Sequence, residues 1–81
     1  MARVRFATDL QLHTGGAKYA ETKARTVREL YTELCRQFPG LTAEILAKYS
    51  LAIDGALVAI PLLETFGENS ELVFVARLAA G

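Results

Sequence analysis

From residue 2 to residue 8 apolar and polar side chains alternate, with Val4 and Phe6 on one side and Arg3, Arg5 and Ala7 on the other. A period of two marks a strand with one buried face and one wet face. Residues 9–14 read as a short loop carrying Leu10 and Leu12, and Gly15-Gly16 marks a turn. Residues 17–23 alternate more weakly, Lys18, Ala20 and Thr22 against Tyr19, Glu21 and Lys23, with a polarity that suits a sheet edge. At Thr26 the period changes. Val27, Leu30, Tyr31, Leu34, Cys35 and Phe38 recur in steps of three and four, one apolar stripe of a helix, while Arg28, Glu29, Thr32, Glu33, Arg36 and Gln37 fill the other face. Thr26 and Glu29 stand at capping-box spacing: the threonine oxygen accepts from the third helical N–H, and the carboxylate reaches back to the Thr26 amide. Pro39-Gly40 ends the helix.

Residues 41–49 predict a second, shorter helix with Thr42 as N-cap and Leu41, Ile45, Leu46 and Tyr49 turned inward. Residues 51–53 and 56–60 predict two short strands around Asp54-Gly55, a pair that tolerates the positive φ angles of a tight hairpin. Pro61 has no N–H to donate and stops the pairing. Residues 62–66 predict a turn or one helical twist, and residues 67–70 a polar loop. Residues 72–75 form a short, apolar, β-branched and aromatic run, the pattern of a buried strand. A tail of mostly small residues, about 77–81, follows and is expected to be flexible. A first hairpin, a crossover helix and a late strand returning beside the first make the β-grasp plan, which the right-handed crossover rule permits. The expectation is one α+β domain over residues 1–81, a mixed sheet of four to five strands with one main helix on one face.

Composition narrows the function more than the fold. The chain has 81 residues and 52% apolar content, near the size where a core just suffices and well away from disorder. Nine basic and nine acidic residues cancel, so neither a basic stripe for nucleic acid nor a charged tail is indicated. A lone cysteine excludes an internal disulfide framework and suits a reducing compartment. No secretory signal pattern and no apolar run of membrane-spanning length occurs. A cytoplasmic protein with no membrane and no nucleic-acid partner is the expectation.

Candidate chemistry on side chains is sparse. Cys35 lies on the apolar helix stripe between Tyr31 and Phe38, where a thiol packs as a small hydrophobe. His13 is the one histidine and has no Cys or His at ligand spacing, so no metal site is expected. Gly15-Gly16 lacks the Lys-Ser/Thr of a phosphate loop. Asp54, Glu64, Glu68 and Glu71 are separated by turns, and nothing converges them into a general acid–base pair. The chain is not expected to be an enzyme on its own. The remaining candidate is the carboxylate of Gly81, delivered by a core strand.

The run Val4-Arg-Phe6-Ala7, the helix start Thr26-Val-x-Glu-Leu30, the hairpin Leu51-Ala-Ile-Asp-Gly55 and the strand leading to Gly81 resemble, in order and spacing, the ubiquitin-like sulfur carriers. These are the small subunit of molybdopterin synthase and its thiamine-pathway cousin, and the length suits the former. The resemblance implies that Gly81 is adenylated by an enzyme of the ubiquitin-activating type, with ATP used by that enzyme and no cofactor bound to the carrier. Gly81 would then bear a thiocarboxylate, and Leu78, Ala79 and Ala80 would thread the partner's channel. Partners would be that adenylating enzyme and the large molybdopterin synthase subunit; Arg3, Arg5, Val75 and Arg77 are the candidate partner-binding residues. Sulfur carriers for thiamine or cysteine synthesis, and a ubiquitin-like interaction module with an inert tail, stand as alternatives. One position departs: Ala80 stands where the family carries glycine, which costs about 1–2 kcal/mol if left-handed backbone angles are required there.

Overall fold

The computed structural model describes residues 1–77, so Leu78, Ala79, Ala80 and Gly81 lie outside the described residues. Five strands form one mixed sheet in the order β2-β1-β5-β3-β4. They are β1 (Ala2–Arg5), β2 (Tyr19–Thr22), β3 (Tyr49–Ile53), β4 (Ala56–Leu57) and β5 (Glu71–Ala76). Only β1 and β5 pair in parallel, with Val4 opposite Leu72; the other ladders are antiparallel. The chain therefore brings its first and last strands together at the middle of the sheet. Helix α1 (Val27–Gln37) follows the first hairpin, and a four-residue α2 (Ala43–Leu46) precedes β3.

The core lies between α1 and one sheet face. Val4, Leu51, Leu72 and Phe74 meet Val27, Leu30 and Leu34, all essentially inaccessible to water. Three phenylalanines close one end: Phe6 meets Phe38 edge-on at 5.6 Å and stacks on Phe74 at 6.2 Å. Tyr31, Cys35 and Phe38 complete the helix stripe from its half-buried flank.

Several boundaries depart from the sequence pattern, each for a tertiary reason. Residues 9–13 are not a plain loop but a 3-10 helix, Asp9–His13, which buries Leu10 and leaves Leu12 84% exposed. Its end is closed by the Thr14 hydroxyl donating to the Ala17 carbonyl at 2.8 Å, ahead of Gly15 and Gly16 at φ 66° and 91°. The second helix stops at Leu46, because Tyr49 pairs with Ala76 and joins β3. Edge strand β4 keeps only Ala56 and Leu57; past the Val58 N–H to Leu51 carbonyl bond of 3.0 Å, the chain leaves for a 3-10 turn at Pro61–Leu63. Thr26 caps α1 by accepting from the Glu29 amide at 3.1 Å. The Glu29 carboxylate takes the Arg25 amide at 3.4 Å and the Thr26 hydroxyl at 3.1 Å, instead of the Thr26 amide.

The hairpin aspartate has a second job. Asp54 and Gly55 sit at φ 50° and 87°, the left-handed pair that a two-residue hairpin needs. The Asp54 carboxylate also accepts from the Ser70 hydroxyl and from the Glu71 amide, both at 2.9 Å, tying the loop before β5 to the hairpin. Gly40 is required by space: a Cβ there would stand 2.6 Å from the His13 carbonyl oxygen.

Candidate docking face and tail root

The helix covers one side of the sheet, and strand alternation sends a second set of side chains to the open side. From β2 to β4 these are Tyr19 and Glu21, Arg3 and Arg5, Glu71, Val73 and Val75, Ser50 and Ala52, and Leu57. The face divides in two. On the β2–β1 half the guanidiniums of Arg3 and Arg5 both lie over the Tyr19 ring, 5.6 and 5.5 Å from its centroid, which holds two like charges in place over the π-face. Arg3 has Glu21 and Glu71 as cross-strand neighbours, whereas Arg5 has Tyr19 and Val73. On the β5–β3–β4 half, Ala52, Val73, Val75 and Leu57 make the surface apolar, with Leu57 69% exposed.

The end of β5 carries a different environment. Beyond Ala76, Arg77 lines a pocket of about 140 Å³ with Tyr31, Ala47, Tyr49, Pro61 and Leu62. On the neighbouring side it joins Asp9, His13, Ile45, Lys48, Tyr49 and Ala76 around a cleft of about 350 Å³. Burial pushes the Tyr31 phenol above its usual range, and the nearby Arg77 charge works against that. The Tyr49 phenol is also raised, first by burial, then by its hydrogen bond to Asp9 and that carboxylate's charge. Both phenols therefore stay neutral at physiological pH and present mostly ring surface at the root of the tail.

The structure brings Arg3, Arg5 and Val75 onto one face, as the alternation implies, but it sets Arg77 apart, beside Tyr31 on the helix side of the sheet. Leu78, Ala79, Ala80 and Gly81 lie outside the described residues. Cys35 is half-buried against the core, with a free thiol. Among the described residues no three His, Cys, Asp or Glu side chains are grouped to hold a metal, and no helix is long and apolar enough to cross a membrane. The pocket at the tail root escaped sequence reasoning, because its walls come from four separate segments. The uncharged run of residues 56–63 was the one available signal, and it reads equally well as strand.

Three comparisons bear on this arrangement. No protein-family profile matches the chain, and no curated protein does. Among solved structures, a chain of the BexX/CysO complex from Amycolatopsis orientalis superposes with a TM-score of 0.79 at 22% identity, covering 100% of both chains. SAMP1 from Haloferax volcanii superposes with a TM-score of 0.73 at 17% identity, over 99% of this chain and 98% of that one. The fold is the ubiquitin-like β-grasp. In this β-grasp domain the strand leading to residues 78–81 is central: β1 pairs with it from Glu71 to Val73, and β3 holds it from Leu72 to Ala76, where Tyr49 is the partner.

Proposed function

We propose that the chain is a ubiquitin-like sulfur carrier of the cytoplasm, acting as the small subunit of a sulfurtransferase of the molybdopterin synthase type. The observation that carries the reading is β5. A core strand, fixed between two neighbours, runs out through Arg77 into Leu-Ala-Ala-Gly81, on a β-grasp fold that matches carriers end to end. The domain is then a handle, and the chemistry sits at the carboxylate of Gly81.

At neutral pH an α-carboxylate is an anion and a poor electrophile. An adenylating enzyme of the ubiquitin-activating type joins it to AMP from ATP, releasing pyrophosphate, so that the carbon becomes attackable. Hydrosulfide then adds to that carbon, the C–O bond to AMP breaks with AMP as leaving group, and loss of the S–H proton leaves the thiocarboxylate that passes sulfur onward. Glycine has no Cβ and lets the terminus enter a narrow channel; Leu78, Ala79 and Ala80 are the residues that thread it. The open sheet face, with Arg3, Arg5 and Val75, docks the adenylating enzyme or the large synthase subunit. CysO, crystallised in complex with BexX, supports a carrier that works docked on another protein. A second reading, in which sulfur goes to thiamine or cysteine synthesis instead, stands on the same fold and the same tail.

The experiment is pyrophosphate release with the purified adenylating enzyme, run on four tails, followed by intact mass. The parent tail and Ala80→Gly should react and gain the mass of one oxygen replaced by sulfur when a sulfur source is present. Deleting Gly81, or adding one residue after it, should abolish the reaction without moving the melting temperature. Equal reaction of all four tails overturns the proposal. Reconstitution with the large synthase subunit separates the molybdopterin role from the alternatives.

A further inference from the structure

We infer that the tail root is an anchor site: the pocket between Tyr31, Ala47, Tyr49, Pro61 and Leu62 receives one apolar side chain of the adenylating enzyme, beside an acidic group of that enzyme on Lys48 and Arg77. The inference rests on the carrier reading and names the chemistry of the partner that grips the tail.

Size and lining define the first half of the site. The pocket holds about 140 Å³, close to the volume of an apolar cavity known to take up a benzene ring. Two phenol rings, a proline, a leucine and an alanine supply its walls, and among the described residues the only charge on its rim is Arg77. Its Pro61–Leu62 wall belongs to an exposed apolar turn: Leu62 is 43% exposed, and Ile60 and Leu63, the residues on either side of that pair, are 57% and 71% exposed. An apolar surface of this kind around a concave site marks a contact with another protein.

Charge supplies the second half. Lys48, Arg77 and His13 line the adjoining cleft, where the one carboxylate, Asp9, faces the Tyr49 phenol. Arg25 and Glu68 are the only oppositely charged pair within 4.0 Å among the described residues, so no carboxylate among those residues forms an ion pair with Lys48 or Arg77. A cationic rim around an apolar socket is complemented by an acidic residue flanking an apolar one.

The position of the site decides who occupies it. Arg77 is one residue, about 3.3–3.6 Å of chain, from the four residues that an adenylating enzyme must enclose. An enzyme that encloses residues 78–81 begins its grip within one residue of this pocket. A second copy of the chain would need an acidic complement that the rim itself does not provide.

The test is steady-state pyrophosphate release with the ubiquitin-activating-type enzyme of the same organism, using the full chain as substrate. Ala47→Leu, at an exposed wall position, fills the socket, and Lys48→Glu reverses the rim. Each should raise KM about tenfold, the loss of one buried apolar group or one charge pair, while kcat stays within about twofold. Raising the salt concentration should erase most of the Lys48→Glu effect and little of the Ala47→Leu effect. Leu12→Ser, on the exposed 3-10 helix, should match the parent. Parent-like KM in both site variants overturns the inference alone. A parent chain that releases no pyrophosphate removes the carrier reading, and the inference with it.

Discussion

Asp54 joins a backbone requirement to a tertiary staple, and three substitutions separate the two. The residue sits at φ 50°, and its carboxylate accepts from the Ser70 hydroxyl and the Glu71 amide, both at 2.9 Å. Each bond contributes about 0.5–1.5 kcal/mol net, taken at the neutral level because the carboxylate is exposed. A left-handed non-glycine residue costs about 1–2 kcal/mol, less for Asp or Asn, whose short side chains hydrogen-bond locally. Asp54→Ala loses both bonds and meets the full backbone penalty, about 2–4 kcal/mol in all. Asp54→Gly loses the bonds but relieves the backbone, so it should be about 1 kcal/mol milder than alanine. Asp54→Asn keeps an oxygen for the Glu71 amide and can donate to the Ser70 hydroxyl, so it should cost under about 1 kcal/mol. For 81 residues the whole stability is about 4–12 kcal/mol, which makes the alanine change easy to resolve. The chain has no tryptophan, so urea unfolding is followed by far-UV circular dichroism. Amide exchange at Glu71 and Gly67 should quicken in the Ala and Gly variants only, because the Gly67 amide donates to the same Ser70 oxygen at 2.8 Å. Equal costs for Ala and Gly would refute the backbone term, and an Asn variant as weak as Ala would refute the staple as drawn.

Two further outcomes concern the scaffold. Gly40→Ala should lose about 1–3 kcal/mol, because its Cβ would meet the His13 carbonyl oxygen at 2.6 Å, whereas Gly67→Ala, with Ser70 Oγ at 3.5 Å, should lose far less; paired melting curves decide this. Tyr49, raised from its ordinary 10.0 by burial and by Asp9, contributes stability that is full below about pH 10 and is lost as pH climbs through the folded value; Tyr49→Phe should flatten that alkaline loss in urea midpoints measured from pH 8 to 11.

Much of the fold was legible in residue order, and what was missed shares one cause. The helix stripe, the Thr26 and Thr42 caps and the Asp54-Gly55 turn rest on contacts within a few residues, so local spacing exposes them. The 3-10 helix at residues 9–13, the entry of Tyr49 into β3 and the shortness of β4 are settled by partners far along the chain. Arg77 shows the same limit at the candidate site. Counting places it with the charges of the open face, while the structure turns it toward Tyr31 at the tail root.

What the amino-acid order determined by itself is the set of parts: an amphipathic helix with its cap, alternating strands and a turn that only certain residues tolerate. Local backbone preference and hydrophobic period suffice for these, since both act over a few residues. Tertiary structure alone decided the register of the first and last strands, Val4 opposite Leu72, and the late pairing of Ala76 with Tyr49 past the end of the β1 ladder. It alone assembled Tyr31, Ala47, Tyr49, Pro61 and Leu62 into one socket, from segments up to 31 residues apart between Tyr31 and Leu62. No local preference encodes such a meeting; burial of the shared core drives it, and the surface left over becomes the site.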